Sequence, residues 1–230
     1  MCGRFTQFYT WAEVHKAMGM VLASPNLRPR YNIAPTTMID VVVAGDGERV
    51  LMPMRWGLVP EWWKKSLTDV PATFNARAET VATKPMFQTA FKRRRCIIPA
   101  SGFYEWTTEN GGKQPHFFSA IDGSILGFAW LWERWREPGS EAGMFSATII
   151  VTSANDGMRR YHDRMPVILA PEDYEGWLTC TIGAEVFDHA RLALQEWSVS
   201  RRVNHVGNDD DPTLVEPVEG AIAVSPQVVG

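Results

Sequence analysis

Apolar positions along this chain fall into many short runs broken by Gly, Pro and Asn, a rhythm that predicts strands more often than helices. Met38 to Ala44 and Arg49 to Arg55 are β-prone and meet at Gly45-Asp46-Gly47, a hairpin signal. Arg95 to Ile98, Gly102 to Thr107, His116 to Ile121, Ile125 to Leu131 and Phe145 to Thr152 follow as strands. Glu109-Asn110-Gly111-Gly112 and Asp122-Gly123 mark turns between them. Met165 to Leu169 reads as a further strand and Phe74 to Thr80 as a short extended segment.

Helical spacing is confined to short windows. Thr10-Trp11-Ala12-Glu13 has capping-box spacing, which predicts a helix to about Met18, ended by Gly19. Pro85 to Arg93, Pro171 to Leu178 and Gly183 to Gln195 predict further helices, with Pro171 at a favoured first-turn position. Asn155 to Arg160 predicts one helical turn. Ser24 to Pro35 reads as an irregular loop, and Trp56 to Pro71, with Pro60, Pro71 and three Trp, as a structured one. No repeat is visible and no linker is long enough to divide the chain. The expectation is one α+β domain over residues 2–217 with a large, mostly antiparallel sheet, followed by a flexible tail at 218–230.

Composition narrows the class. The 230 residues are 45% hydrophobic and 21% charged, which fits a globular fold and excludes collagen, coiled coil or global disorder. No window approaches the roughly 20 apolar residues of a membrane span, and the start lacks signal-peptide character, so a soluble cytoplasmic protein is expected. Three cysteines without a close pair argue against a disulfide framework, and no His has metal-ligand spacing, so no metal is expected. The net charge of −3 hides an asymmetry. Residues 1–105 hold 14 Lys+Arg against 8 Asp+Glu, and residues 106–230 hold 9 against 18. Such a split is a hint of polyanion binding.

Five features could carry chemistry. Cys2 becomes the terminus once the initiator Met is removed, and a terminal Cys holds two nucleophiles, an amine and a thiol, on adjacent carbons. Together they can close a thiazolidine on an aldehyde; alternatively Cys2 is an ordinary small apolar residue. In Gly102-Phe103-Tyr104-Glu105-Trp106, period two puts Phe103 and Glu105 on one face. Glu105 is then either a desolvated acid–base group or a solvent-facing carboxylate. Asn75 and Arg77 project together in extended chain, as an amine-positioning group beside a phosphate clamp or as a turn residue and a surface cation. His162, in His162-Asp163-Arg164-Met165-Pro166, is the best proton-shuttle candidate near neutral pH. Trp56, Trp62 and Trp63 share a loop with Lys64 and Lys65, which suits stacking on single-stranded nucleic acid, although Trp is also core filler. Cys96 and Cys180 read as core thiols.

In order along the chain stand Met1-Cys2-Gly3-Arg4-Phe5, Tyr31-Asn32-Ile33-Ala34-Pro35, Trp56-Gly57-Leu58-Val59-Pro60, Phe74-Asn75-Ala76-Arg77-Ala78-Glu79, Arg95-Cys96-Ile97-Ile98-Pro99-Ala100, the Gly102–Trp106 block and the His162–Pro166 block. Together they closely resemble the SOS-response-associated peptidase family, the abasic-site-processing proteins. The resemblance implies a β-rich pseudo-barrel with flanking short helices and a groove for single-stranded DNA containing abasic sites, as at replication-fork junctions. It further implies a stable thiazolidine crosslink made by Cys2, with Asn75 positioning its amine and Glu105 and His162 moving protons. A Schiff-base lyase step and self-removal of Met1 are also plausible from it. Arg4, Pro35, Trp62, Trp63, Arg77, Arg164, Ser200 and Arg201 would contact the DNA. A monomer without cofactor is expected, cytoplasmic and associated with the nucleoid on damage. Gly207 stands where a polar or basic residue is expected. Two other readings stay open: an N-terminal cysteine peptidase or amidohydrolase, and a non-catalytic single-stranded DNA-binding module.

Overall fold

The computed structural model describes residues 2–20, 27–109, 111–137, 139, 143–188, 193–218 and 224–227. The chain runs β1 (Phe5–Gln7), α1 (Trp11–Met18), β2 (Arg30–Ile33), β3 (Met38–Ala44), β4 (Arg49–Trp56), β5 (Asn75–Arg77), α2 (Gln88–Arg93) and β6 (Arg95–Ala100). Then come β7 (Gly102–Glu109), β8 (Gly112–Ala120), β9 (Leu126–Arg136), β10 (Gly143–Ser153), β11 (Arg164–Pro166), β12 (Ile168–Leu169), α3 (Tyr174–Leu178), β13 (Leu194–Ser198) and β14 (Val224–Gln227). The architecture is α+β and β-rich, as expected.

Strands β10, β4, β3, β6 and β9 are each bonded to the next, and β9 returns to β10, so the larger sheet closes into a small barrel. Period-two alternation sorts its side chains. Val41, Met54, Trp56, Ile98, Trp130 and Ile149 share one cluster; Val42, Ile97, Leu131 and Ile150 share another with α1, α2 and α3. Helices cannot fit inside a five-stranded ring, so the first cluster is the interior and the second lies under the helices. The other sheet, in the order β14-β13-β8-β7-β1-β2, sends Phe5, Phe103 and Phe118 into the interior cluster. Its far face carries Tyr104 and Phe117, covered by Val203 and Leu214 from two 3₁₀ turns.

Most expected elements are present with shifted ends. The Thr10 side chain accepts from the Glu13 amide, Glu13 returns the bond, and Gly19 closes α1 at φ 60°. Three expectations are corrected. The helix from Gly183 to Gln195 is a 3₁₀ turn at Ala184–Asp188 followed by β13. In β13, buried Leu194 and Glu196 alternate with half-buried neighbours, and a Glu in a buried slot hides that period from a hydrophobicity reading. The loop from Ser24 to Pro35 contains β2, which pairs β1; residues 21–26 lie outside the described residues. The strand from Met165 to Leu169 breaks at Val167, whose amide donates to Ile150 O while its carbonyl accepts from Ala129. In the segment expected to be flexible, β14 pairs β13, and residues 219–223 and 228–230 lie outside the described residues. Among the described residues no helix is long and apolar enough to cross a membrane.

Candidate active site

The site is built where β7 meets the chain start. Gly102 opens β7 because a Cβ there would lie 2.3 Å from Phe117 Cζ and 2.5 Å from the Phe118 carbonyl. That close approach sets the register Phe103↔Phe118 and Glu105↔His116. Phe103 turns into the interior cluster and Tyr104 onto the outer face, so Glu105 points inward with Phe103, as the period predicts. Glu105 is 2% exposed, and burial pushes its carboxyl up to about 7. Cys2 belongs to the same interior cluster and is buried. Burial first, and then the negative charge of Glu105, push its thiol well above the ordinary value. The two side chains are therefore electrostatic neighbours.

Asn75 enters from the barrel. Strand β5 pairs β10 in parallel, with Asn75↔Ile149 and Arg77↔Val151. Ile149 and Val151 belong to the interior cluster and Ile150 to the helix side, so Asn75 faces the cluster that holds Cys2 while Ala76 faces away. Both polar atoms of the Asn75 amide are buried without a hydrogen-bond partner among the described residues. An orphaned buried amide costs stability, on the order of 1–3 kcal/mol, and such a cost is tolerated at functional sites. Arg77 is exposed.

His162 lies in the turn before β11. Its Nδ1 accepts the Arg164 amide at 2.9 Å and lies 2.7 Å from Asp163 Oδ1. One nitrogen cannot accept from the first and donate to the second. Burial lowers the ring's affinity for a proton, so the neutral ring with Nδ1 accepting and the proton on Nε2 is favoured. Tyr161, the residue before His162, packs on His116, the cross-strand partner of Glu105, and the Asp163 charge acts on Glu105, so this turn lies on the Glu105 side of the sheet. The structure thus gathers Cys2, Glu105 and the His162 turn, with Asn75 on the wall of the same cluster.

The residues expected at DNA divide by engagement. Trp62 is 49% exposed, tilted 55° to Trp63, and Lys64 and Lys65 beside it are exposed. The Trp63 indole donates to Ser66 O, its carbonyl accepts from Trp135, and Arg94 holds Glu61 at 2.7 Å and buried Glu133 at 2.9 Å. The Trp loop is consequently fixed in place. Trp56 is core, so for this residue the core-filler reading holds. Pro35 precedes Thr36 at φ 73°, a conformation costly for a β-branched residue. Arg4 is bonded to Asn32 Oδ1 at 2.7 Å and Val203 O at 2.6 Å, so its guanidinium holds the 201–204 turn. Arg164 is paired with Glu79, Ser200 caps the 201–204 turn, and Arg201 donates to Gln114.

Gly207 is explained by its φ of 94°, where a side chain would be strained. Cys96 is core, but Cys180 is half-buried at the end of α3 with φ 60°, which corrects its reading as a core thiol. Sequence reasoning passed over Thr36, whose strain is invisible without dihedrals, and the buried pair His116–Glu196, whose members lie 80 residues apart. Among the described residues no cluster of metal-ligating side chains occurs.

The model of the family described as SOS response associated peptidase (SRAP) matches residues 1–206. The chain belongs to this family. It is 33% identical over 230 residues to the abasic site processing protein YedK of Escherichia coli, covering 95% of this chain and 100% of that one. It is 36% identical over 181 residues to the abasic site processing protein YoqW of Bacillus subtilis, covering 77% and 80%. The abasic site processing protein HMCES of Gallus gallus is 33% identical, over 84% of this chain and 67% of its own. Among solved structures, a Bacteroides thetaiotaomicron protein superposes with a TM-score of 0.80 at 23% identity, over 94% of this chain and all of that one. A Bordetella bronchiseptica protein gives 0.74 at 27%, over 86% and 100%.

Proposed function

We propose that this SRAP-family protein processes abasic sites in single-stranded DNA by forming a covalent crosslink through Cys2 after removal of Met1. The observation that carries the reading is the burial of Cys2 beside Glu105, a carboxyl raised to about 7. A carboxyl near that value is half protonated at neutral pH and can both accept and deliver a proton.

The closed sugar opens when a base takes the proton of its anomeric hydroxyl and the ring oxygen regains one, which suits Glu105. The Cys2 amine attacks the aldehyde carbon, and the carbinolamine hydroxyl leaves as water with a proton from an acid. Glu105 and His162 serve that transfer. The thiol sulfur then adds to the imine carbon and its proton passes to the nitrogen, closing the thiazolidine. Asn75, with its unpartnered buried amide, would hold the amine. Elimination from the imine would give strand cleavage, the lyase outcome, until the ring closes.

The same electrostatics disfavour thiol-first chemistry. A cysteine peptidase needs a thiolate, and both burial and the Glu105 charge oppose one here. Trp62 with Lys64 and Lys65 supplies a stacking face beside cations, each stacked base adding about 1–3 kcal/mol. Arg77 would contact the backbone and Pro35 the bases beside the lesion. The test is a denaturing gel with an abasic single-stranded oligonucleotide. A heat-stable shifted band is expected from wild type and absent from Cys2→Ser; a band that survives Cys2→Ser sinks the reading, and peptide turnover without a band supports the peptidase.

A further inference from the structure

The face of β7 that carries Glu105 continues onto β8 and β13 as a polar network that the chemistry above leaves unused. His116 is the direct cross-strand partner of Glu105, and Ser198 of β13 is the partner of His116 on its other side. His116 is buried, with Nδ1 2.6 Å from Glu196 Oε1 and Nε2 2.9 Å from Thr107 Oγ1. Both ring nitrogens are engaged, so this imidazole is held in one orientation and is poorly placed to exchange protons with a substrate. Glu196 lies 3.6 Å from Arg160 Nη2, and the Tyr161 hydroxyl helps to hold its carboxyl below the ordinary value. The Tyr161 ring stands edge-on to His116 at 4.9 Å and to Phe118 at 4.9 Å, with the Arg160 guanidinium 4.7 Å from its face. Tyr161 is the residue before His162.

We infer that the buried His116–Glu196 pair is a positioning unit for the reaction, clamping Tyr161 so that the next residue, His162, is presented over Glu105. The inference rests on the roles given above to Glu105 and His162. Its logic is geometric. The turn holding His162 lies between Ala154 and β11, a surface segment tied back by the Ala154 amide to Asp163 O. The Tyr161 side chain anchors it to the six-stranded sheet. Without that anchor the imidazole would sample orientations in which proton transfer fails, while the DNA-contacting loop at Trp62, on the other sheet's side of the molecule, would stay in place. Buried Glu196 makes the clamp specific: burial disfavours its charge, and the hydrogen bonds from His116 and Tyr161 outweigh that and keep it ionised.

The test compares Tyr161→Phe, His116→Leu and His116→Asn with wild type. Three quantities are read: the crosslinking rate at saturating abasic single-stranded DNA, the affinity for the intact oligonucleotide, and the imidazole ¹⁵N spectrum of His162. Tyr161→Phe keeps the ring and removes the hydroxyl that favours the Glu196 charge; His116→Asn keeps a donor toward Glu196. Small misplacement of a reacting group costs up to about 100-fold, so Tyr161→Phe and His116→Leu are expected to slow crosslinking about 10- to 100-fold with affinity within about twofold. The His162 resonances should move with them, and His116→Asn should recover most of the rate. Wild-type rates in Tyr161→Phe and His116→Leu overturn the inference. So do rate and affinity falling together, or a slower rate with unmoved His162 resonances. If His116→Leu does not fold, Tyr161→Phe decides alone. A wild-type crosslink that does not need Cys2 would instead defeat the proposed function itself, which separates the two failures.

Discussion

Glu105→Gln should make the protein more stable at alkaline pH while disabling its chemistry. Burial lifts this carboxyl from an ordinary 4.5 to about 7. Between those values the folded state holds a proton that the unfolded state has released, so stability is full below about pH 4.5 and is lost as pH rises through about 7. Each pH unit in that interval is worth ~1.4 kcal/mol, so ionising Glu105 costs the fold about 3 kcal/mol by pH 8.5. Gln cannot ionise and avoids the loss. At pH 5 wild type has lost less than about 1 kcal/mol, so the variant's advantage should grow by roughly 2–3 kcal/mol between pH 5 and pH 8.5. For a domain of this size that is an added Tm gap of about 5–10 °C, readable by calorimetry at the two pH values. Crosslinking of an abasic oligonucleotide should meanwhile slow by about 100-fold or more, the usual contribution of a positioned acid–base group. A stability gap independent of pH, or a variant less stable than wild type at pH 8.5, would refute the reasoning, because both outcomes mean that Glu105 is not held against its charge.

Asn75→Leu replaces an orphaned buried amide by an apolar side chain of similar volume and should raise stability by about 1 kcal/mol, seen in urea unfolding, while the crosslinked band disappears. Gly102→Ala drives a Cβ into Phe117 and the Phe118 carbonyl, so a loss above about 3 kcal/mol or failure to fold is expected, checked by soluble yield and chemical denaturation.

These effects show which parts of the molecule were legible in sequence. Period two in Gly102–Trp106 placed Phe103 and Glu105 on one face, which the structure turns inward, and the capping box of Thr10 and Glu13 located α1, because both signals are local. What escaped was non-local. Strand β13 carries Glu196 in a buried position because His116, 80 residues away, receives it, so the polar residue that broke the apparent pattern is the one the tertiary structure needs. Strand β1 has three residues, too few for a period to register, and β2 is recognisable only as its partner. The strain at Thr36 has no sequence signal at all, since Thr is disfavoured at φ 73°. Among the candidate residues, Asn75 was legible as a type and not as a problem; its lack of partners is a property of the fold.

The charge asymmetry takes on a different meaning in three dimensions. Residues 209–211 are acidic and belong to the half with excess negative charge, yet each meets an arginine: Asp209 with Arg30 at 2.6 Å, Asp210 with Arg28 at 3.3 Å, and Asp211 with Arg202 at 2.8 Å. The exposed Arg28–Asp210 pair adds little stability, and the three pairs together act chiefly through charge and placement. They neutralise two arginines of the basic half and pin the segment after the 201–204 turn against β2, where Asn32 and Arg4 hold that turn from beneath. Of the arginines expected at DNA, Arg4, Arg164 and Arg201 are likewise engaged within the fold, by Asn32 and Val203, by Glu79 and by Gln114. Of the exposed cations, Arg77 lies on the strand that carries Asn75, Arg160 stands two residues before His162, and Lys64 and Lys65 follow Trp62 and Trp63. On the proposed reading, a polyanion drawn to Arg77 and Arg160 would meet the strand bearing Asn75 and the turn bearing His162, so the net acidic charge of the chain does not oppose an encounter at the reacting groups.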